Sequence, residues 1–441
     1  MTRDNVENQA RAGSCGAVEA VVAAMLAHPQ IEGVQQDACA ALEAIQDNEA
    51  NQARAGNCGA VEAVVAAMLA HPQSVGRQSS ACEALCVITT GSAENQARAV
   101  NDGALEAMVA AMLAHPQIEW LQGGACEALC SVTQGNAGNQ TRAGNAGAVE
   151  TVVAAMLAHL QVEEVQRVAC KALYAMTIGN AANQARAGNC GAMEAVVAAM
   201  LAHPQSEEVQ DMACAALYAV TQGDAGNRTR AGDAGAVEAV VAAMLAYPQS
   251  EVVQQRACDA LGVMTNDDVE NQARAGNGGA VEAVVAAMLA HPQDEGVLRG
   301  ACVALHVVTR GDAANKARAG TGGAMEVVVA AMLAHPQSER LQQWACAALC
   351  GMTTGSEENQ ARAGDCGALE AVVAVMRDHP QSRSMQRWAC DALYAVTHGN
   401  AENVTRAVHA GAVDAINTAV TTHGANARVQ TIAATLLQLL S

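Results

Sequence analysis

Histidines, cysteines and a sparse set of aromatic and acidic residues are the side chains of this 441-residue sequence that could do chemistry. Nine histidines stand on one ladder: His28, His71, His115, His159, His203, His291, His335, His379 and His423, with Tyr247 on the remaining rung. Nine cysteines stand on another: Cys39, Cys82, Cys126, Cys170, Cys214, Cys258, Cys302, Cys346 and Cys390. Such ladders invite a metal reading. Packed helical units are about 8–10 Å apart, however, and a zinc–nitrogen bond is about 2 Å, so successive rungs cannot share one ion. Three cysteine pairs lie one helical turn apart: Cys82–Cys86, Cys126–Cys130 and Cys346–Cys350. Structural zinc wants four ligands, and no second pair stands nearby in sequence. The cysteines therefore read as small core hydrophobes, and the histidines as last-turn residues at the negative ends of helices. His306, His398 and His409 fall off the ladder but have no nucleophile-and-base company. The expectation is a non-enzymatic protein with no catalytic residue, metal or cofactor.

The aromatic and acidic residues point to binding. There are 3 Trp, 4 Tyr and no Phe. Trp120, Trp344, Trp388, Tyr174, Tyr218 and Tyr394 fall on one variable helical stripe, together with Glu83, Glu127, Asp259 and Asp391. Trp and Tyr are the usual anchors of interfaces. The richest patch is expected around Trp344, Trp388 and Tyr394, and an acidic groove around Glu83 and Glu127, with Asp259 further on. That pattern suits a protein or peptide partner carrying basic and apolar residues.

What positions this stripe is a tandem repeat. An Asn recurs at residues 8, 51, 95, 139, 183, 227, 271, 315, 359 and 403, so the period is 43 and then 44 residues. No linker interrupts it, and the period predicts a single solenoid domain over 1–441 in which each unit packs on its neighbours. One copy runs NQARAGNCGAMEAVVAAMLAHPQSEEVQDMACAALYAVTQGDAG from Asn183. Asn183 is a preferred N-cap type and Gly188 a preferred C′ type, which predicts a first helix of about one turn. A second helix opens near Gly191 and stops at His203-Pro204; apolar residues on most of its faces predict burial. Its first-turn Glu194 is a candidate partner for the recurrent first-helix Arg186, or both are solvated. A third helix spans about Glu208 to Thr221. At 100° per residue, Val209, Gln210, Ala213, Cys214, Ala216, Leu217, Val220 and Thr221 form its packed half.

The opposite half of the third helix is where the copies differ. The slot of Met212 reads Asp37, Ser80, Gly124, Val168, Arg256, Gly300, Trp344 and Trp388 elsewhere. Drift at exposed sites after duplication would account for this, and so would tuning of each copy to a different stretch of partner. The constant Arg, Glu and His ladders on the other two helices favour tuning, since drift should have scattered changes there too.

The stretches GAVEAVVAAML and, in the third helix, Val209-Gln210 with Ala213-Cys214 and Ala216-Leu217 resemble the armadillo repeat, with two-helix HEAT repeats as second choice. The resemblance covers essentially the whole chain. It implies an all-α fold, a right-handed α-α superhelical solenoid of about ten three-helix armadillo-type repeats, whose third helices line a groove for an extended partner segment. Members similar to importin-α clamp basic nuclear-localisation segments with Trp and Asn ladders. Here those slots hold residues such as Ala215 and Ala219, so an import-adaptor role is disfavoured. The resemblance thus implies a protein-interaction scaffold. The alternative is a structural subunit of a large assembly, using its edges and ends.

A formal net charge of -20 disfavours nucleic acid and anionic membrane. Apolar runs such as AVVAAMLA are too short for a span. Sixteen Cys without a framework suit an intracellular reducing compartment, the cytoplasm or the nucleus. The tenth repeat gains polar Thr and Asn and reads as a carboxy-terminal cap, while the uncapped amino-terminal end is a candidate for self-association.

Overall fold

The computed structural model describes residues 6–45, 48–424 and 426–441, and over these it contains 30 α-helices and no strand. Residues 1–5 of the end expected to self-associate lie outside the described residues. Each repeat supplies three helices; in the fifth they are Ala181–Asn189, Ala192–Ala202 and Glu207–Thr221. The chain divides into two compact units, Met1–Arg230 and Ala231–Ser441, each a stack of such repeats.

The first helix departs from expectation and explains the Asn ladder. It is 9 residues long, not one turn, and its N-cap is Asn180, whose side chain accepts from the Asn183 N–H. Asn183 itself is buried inside the helix. Its amide donates to the Gln140 carbonyl of the preceding repeat at 2.7 Å and to the Met176 carbonyl at 2.9 Å. Gly188 is likewise interior rather than a C′ residue. A Cβ there would lie 1.9 Å from Oδ1 of Asn227 in the next repeat, so glycine is required by close approach. The turn that separates the first two helices is made instead at Gly191, whose φ of 82° is unfavourable for residues with a Cβ. At one joint the glycine slot holds Val100, and among the described residues the Asn139 side-chain amide there donates to the Val132 carbonyl at 2.9 Å without a partner in the preceding repeat.

The histidine ladder also joins repeats. His203 is the C-cap of the second helix, and its Nε2 donates to the Leu160 carbonyl of the preceding repeat at 2.8 Å. His71, His115, His159, His291, His335, His379 and His423 each bond the corresponding proline carbonyl at 2.8–3.1 Å. The Arg–Glu pairing runs between repeats rather than within one. Arg54 reaches Glu19, Arg98 Glu62, Arg186 Glu150 and Arg318 Glu282, at 3.5–3.8 Å. These pairs are open to water and contribute little.

The predicted packed half of the third helix is buried throughout. Gln210 ties it to the second helix of its own repeat, donating to the Met200 and His203 carbonyls at 2.9 and 3.0 Å. Within each unit successive third helices lie closely against one another, whereas successive second helices touch at fewer points. Each unit therefore has its third helices on the tighter side. The second helix is not buried all round: the leucine after its buried methionine, Leu201 for example, is 68% exposed.

One core slot breaks the pattern. Where other repeats place Val165, Val209, Val253, Val297 or Leu341, the second has Arg77, which is fully buried. Its guanidinium makes no hydrogen bond among the described residues, and its nearest countercharge is Glu32 at 3.6 Å.

Candidate functional site

In unit Met1–Arg230 the third helices Glu32–Ile45, Val75–Thr89, Glu119–Thr133 and Glu163–Thr177 enclose an open cavity of about 420 Å³. Three expected residues meet there: Glu83, Trp120 and Glu127. Trp120 is 50% exposed, the most open tryptophan of the chain. It sits at the second position of its helix, with Gly123, Gly124 and Glu127 three, four and seven residues on, all along one stripe. A Cβ at either glycine would meet nothing closer than 4.0 Å, so no close approach demands glycine. Each nonetheless costs about 1 kcal/mol relative to Ala inside a helix. Their effect is to leave space. The slot of Gly123 carries Gln36, Arg167, Asp211 or Arg299 in other repeats, and that of Gly124 carries Val168, Arg256 or Trp344. The missing side chains are the cavity.

Its rim is acidic. Glu43, Glu119 and Glu164 join Glu83 and Glu127 around a floor that includes Cys86, Val87, Val162 and Val165. Glu127 takes Lys171 Nζ on Oε1 at 2.5 Å, while its Oε2 is buried without a hydrogen-bond partner. Burial is the largest single influence on Lys171 and works against its charge, but the hydrogen bond and the negative charge of Glu127, with smaller contributions from Cys130 and Cys86, together exceed it and the pKa is raised. Arg167 grips Glu164 through two bonds of 2.6 and 2.9 Å, and Ser79 Oγ donates to Glu83 at 3.2 Å. The site offers a flat π-face, an apolar floor and an acidic rim, which is a binding surface for a cation on an apolar stem.

The expected patch in unit Ala231–Ser441 is built differently. Trp344 and Trp388 are partly buried and both pack on His306, a residue given no role from sequence. His306 is 8% exposed; its ring centroid is 6.3 Å from Trp344 and 5.9 Å from Trp388, the latter edge-on at 80°. Its Nδ1 donates to the Ala347 carbonyl at 2.8 Å. Gly351 permits this, because a Cβ there would lie 3.1 Å from Nδ1. The Arg387 guanidinium lies over the Trp388 ring at 4.2 Å and approaches Asp391 at 3.6 Å. Tyr394 stacks on His398 at 4.8 Å. Burial pushes His306 below the ordinary histidine pKa and pushes Asp391 up. The tryptophans have neighbours in place of an open cleft.

Tyr174, Tyr218 and Asp259 stand apart from both clusters. Tyr218 accepts from Gln222 Nε2 at 3.1 Å, and Asp259 pairs with Arg299 at 3.3 Å. Burial raises the Asp259 pKa against the pull of Arg299. The variable stripe is also discontinuous, since Val168, Ala215 and Ala347 are covered. Among the described residues no three His, Cys, Asp or Glu converge on a metal-sized site. Burial pushes the thiols of Cys39, Cys170, Cys302 and Cys390 up to about 12, so they are protonated at neutral pH, unlike an activated nucleophilic thiolate. Sequence reasoning missed Glu43, Glu119, Glu164 and the two glycines as site residues. The legible signal was Gly123-Gly124 in the middle of a helix.

A family model described as LRRK2 ARM repeat matches residues 1–194 and again 186–441. The crystal structure of an engineered protein is similar over 96% of this chain and 98% of its own, with 25% identity and a TM-score of 0.82. A structure from a study of a phosphorylation switch controlling the interaction between cadherin and β-catenin covers 99% of this chain and 98% of its own. It is 13% identical with a TM-score of 0.62, so the likeness is one of fold. No curated protein sequence matches. Among the described residues no single helix is long and apolar enough to cross a membrane.

Proposed function

The chain belongs to the LRRK2 ARM repeat family, and from that premise we propose that it is a protein-interaction scaffold that holds an extended partner segment along the third helices of unit Met1–Arg230. The segment presents a basic residue flanked by apolar ones. The observation that carries this reading is the Trp120 cavity with its rim of five glutamates. A guanidinium over an exposed indole contributes about 0.5–1 kcal/mol, and about 2 when desolvated; the glutamates add charge-assisted hydrogen bonds. The structure of similar fold comes from a study of the interaction between cadherin and β-catenin, which supports a protein as the partner.

The test is fluorescence polarisation with a library of labelled peptides containing Arg or Lys between apolar residues. Binding is expected to weaken with salt, and to be lost in Gly123→Leu, which fills the cavity, and in Glu83→Gln with Glu127→Gln. Helical circular dichroism should hold in each variant. Peptides that bind equally well to the Gly123→Leu protein would overturn the reading.

A further inference from the structure

One cation beside the Trp120 cavity is held in a way the others are not. Lys171 stands on the third helix Glu163–Thr177, in the slot that carries Glu83 and Glu127 in the two preceding repeats, and in no other repeat is that slot basic. Of the chain's 24 basic residues only Lys171 and Lys316 are lysine. Lys171 Nζ donates to Glu127 Oε1 at 2.5 Å across the repeat boundary, with Lys171 35% and Glu127 28% exposed. That bond leaves half of the carboxylate unused. Glu127 Oε2 is buried and has no hydrogen-bond partner among the described residues, and a buried acceptor without a donor is destabilising. Arg167, on the same helix, gives Glu164 two bonds instead. Glu127 lines the cavity, whereas Lys171 lies outside the lining residues.

We infer that Lys171 is a stand-in for the partner's own cation, an arginine, which takes Glu127 from it on binding. The exchange gains bonds. Trp120 and Glu127 stand seven residues apart, about two turns, with Gly123 and Gly124 between them. An arginine lying in that gap has the indole beside its stem and the carboxylate at its end. A guanidinium gives a carboxylate two parallel bonds where the ammonium gives one, so both oxygens of Glu127 are satisfied once the carboxylate turns toward the cavity. The released Lys171 is already part-exposed and returns to water, so little is lost with it. A partner lysine would replace one bond by one bond and gain nothing at Glu127. Lys171 therefore lowers the affinity of the site for every cation and selects arginine over lysine.

Because this exchange rests on the peptide site proposed above, its test carries an arm for each. Fluorescence polarisation of an amino-terminally acetylated arginine peptide and of its lysine counterpart is measured on the full chain and on Lys171→Met, which keeps the apolar stem and the helix propensity. The arginine peptide should bind Lys171→Met about two- to fivefold more tightly than the parent, the size of a part-exposed ion pair, with helical circular dichroism unchanged. The lysine counterpart should bind the parent more weakly than the arginine peptide does. Acetylation by an N-hydroxysuccinimide ester, read by mass spectrometry, reports the exchange without affinity. Burial opposes the Lys171 charge and Glu127 more than restores it, so the amine is held protonated. Labelling of Lys171 should therefore rise when the arginine peptide binds, with Lys316 as internal reference. Suppose the parent binds and Gly123→Leu abolishes it. Equal or weaker binding to Lys171→Met, a lysine peptide that binds as tightly, or Lys171 labelling that stays level or falls would then overturn the exchange alone. A parent chain that binds no arginine peptide would overturn the site and the exchange together.

Discussion

Trp120 and Trp388 lie on third helices of the same repeat type, yet one is a binding surface and the other a packing group. Trp120 is followed by Gly123 and Gly124 and has open space beside it. Trp388 meets His306 edge-on and carries the Arg387 guanidinium over its ring, so it is engaged by its own unit. Both are aromatic residues on a variable stripe, which was the criterion applied to the sequence. The difference is in what stands next to them, and for Trp120 the deciding neighbours are side chains that are missing. A tryptophan marks a site only where its surroundings leave a face unclaimed.

Three measurements break or sharpen that contrast. The largest effect is expected from exchanging the two tryptophans' fates. Trp120→Ala should remove about 2–4 kcal/mol of peptide affinity, as a central anchor does, with little change in stability. Trp388→Ala should leave affinity intact and lower stability by about 1–3 kcal/mol, less than a fully buried Trp because the ring is partly exposed. Peptide titration and chemical denaturation of both variants check the crossing. If Trp388→Ala lost affinity and kept stability, the assignment of the two clusters would be reversed.

The second compares the cores beneath them. Unit Met1–Arg230 buries Arg77 without a hydrogen bond, where Val253, Val297 and Leu341 fill the same slot in unit Ala231–Ser441. Replacing an ill-satisfied buried charge by an apolar residue is stabilising by on the order of 1–4 kcal/mol. Arg77→Val should therefore raise the denaturation midpoint. Hydrogen exchange should slow first in the helices next to Val75–Thr89, because repeat stability is set by nearest neighbours. Unchanged exchange there would mean that Arg77 is satisfied in solution.

The smallest effect is a pH dependence that belongs to the Trp388 cluster; the residues lining the Trp120 cavity include no histidine. Burial, reinforced by Arg310 and opposed by the bond to the Ala347 carbonyl, holds His306 below its unfolded pKa of 6.5. The unfolded chain then binds the proton more readily, so the stability contributed by neutral His306 is present above about pH 6.5. It declines as pH falls from there toward the lower folded value. Asp391, raised by burial, has the opposite sign at its own, more acidic titration. Denaturation followed between neutral and mildly acidic pH should show a loss that His306→Gln flattens. An equal slope in both proteins would assign the loss elsewhere.

Much of the fold was legible because it is periodic. The constancy of Val209, Gln210, Ala213, Cys214 and Leu217 from copy to copy marked the buried half of the third helix, and all five are buried. The ladders misled where a residue type has two uses. Asn183 is a capping type, but the cap is three residues earlier, where the copies carry Ser92, Asn136, Asp268, Asp312 and Asn400. That slot varies only among residues that can cap, and this was the readable signal. Asn183 is instead constant because its amide reaches Gln140 across the repeat boundary and Asn227 seats over Gly188 in the same way.

From its order of residues alone the chain declares a tandem array of three-helix units with a buried core of Ala, Val, Leu, Met and Cys, because helical period and repeat period are both local, one-dimensional properties. Which residues bridge one repeat to the next, and which stripe positions stay open, depend on distances between helices more than forty residues apart. Those distances exist only once the repeats are stacked. Space beside Trp120 and closure around Trp388 are both differences between neighbours, and it took the tertiary structure to bring those neighbours together.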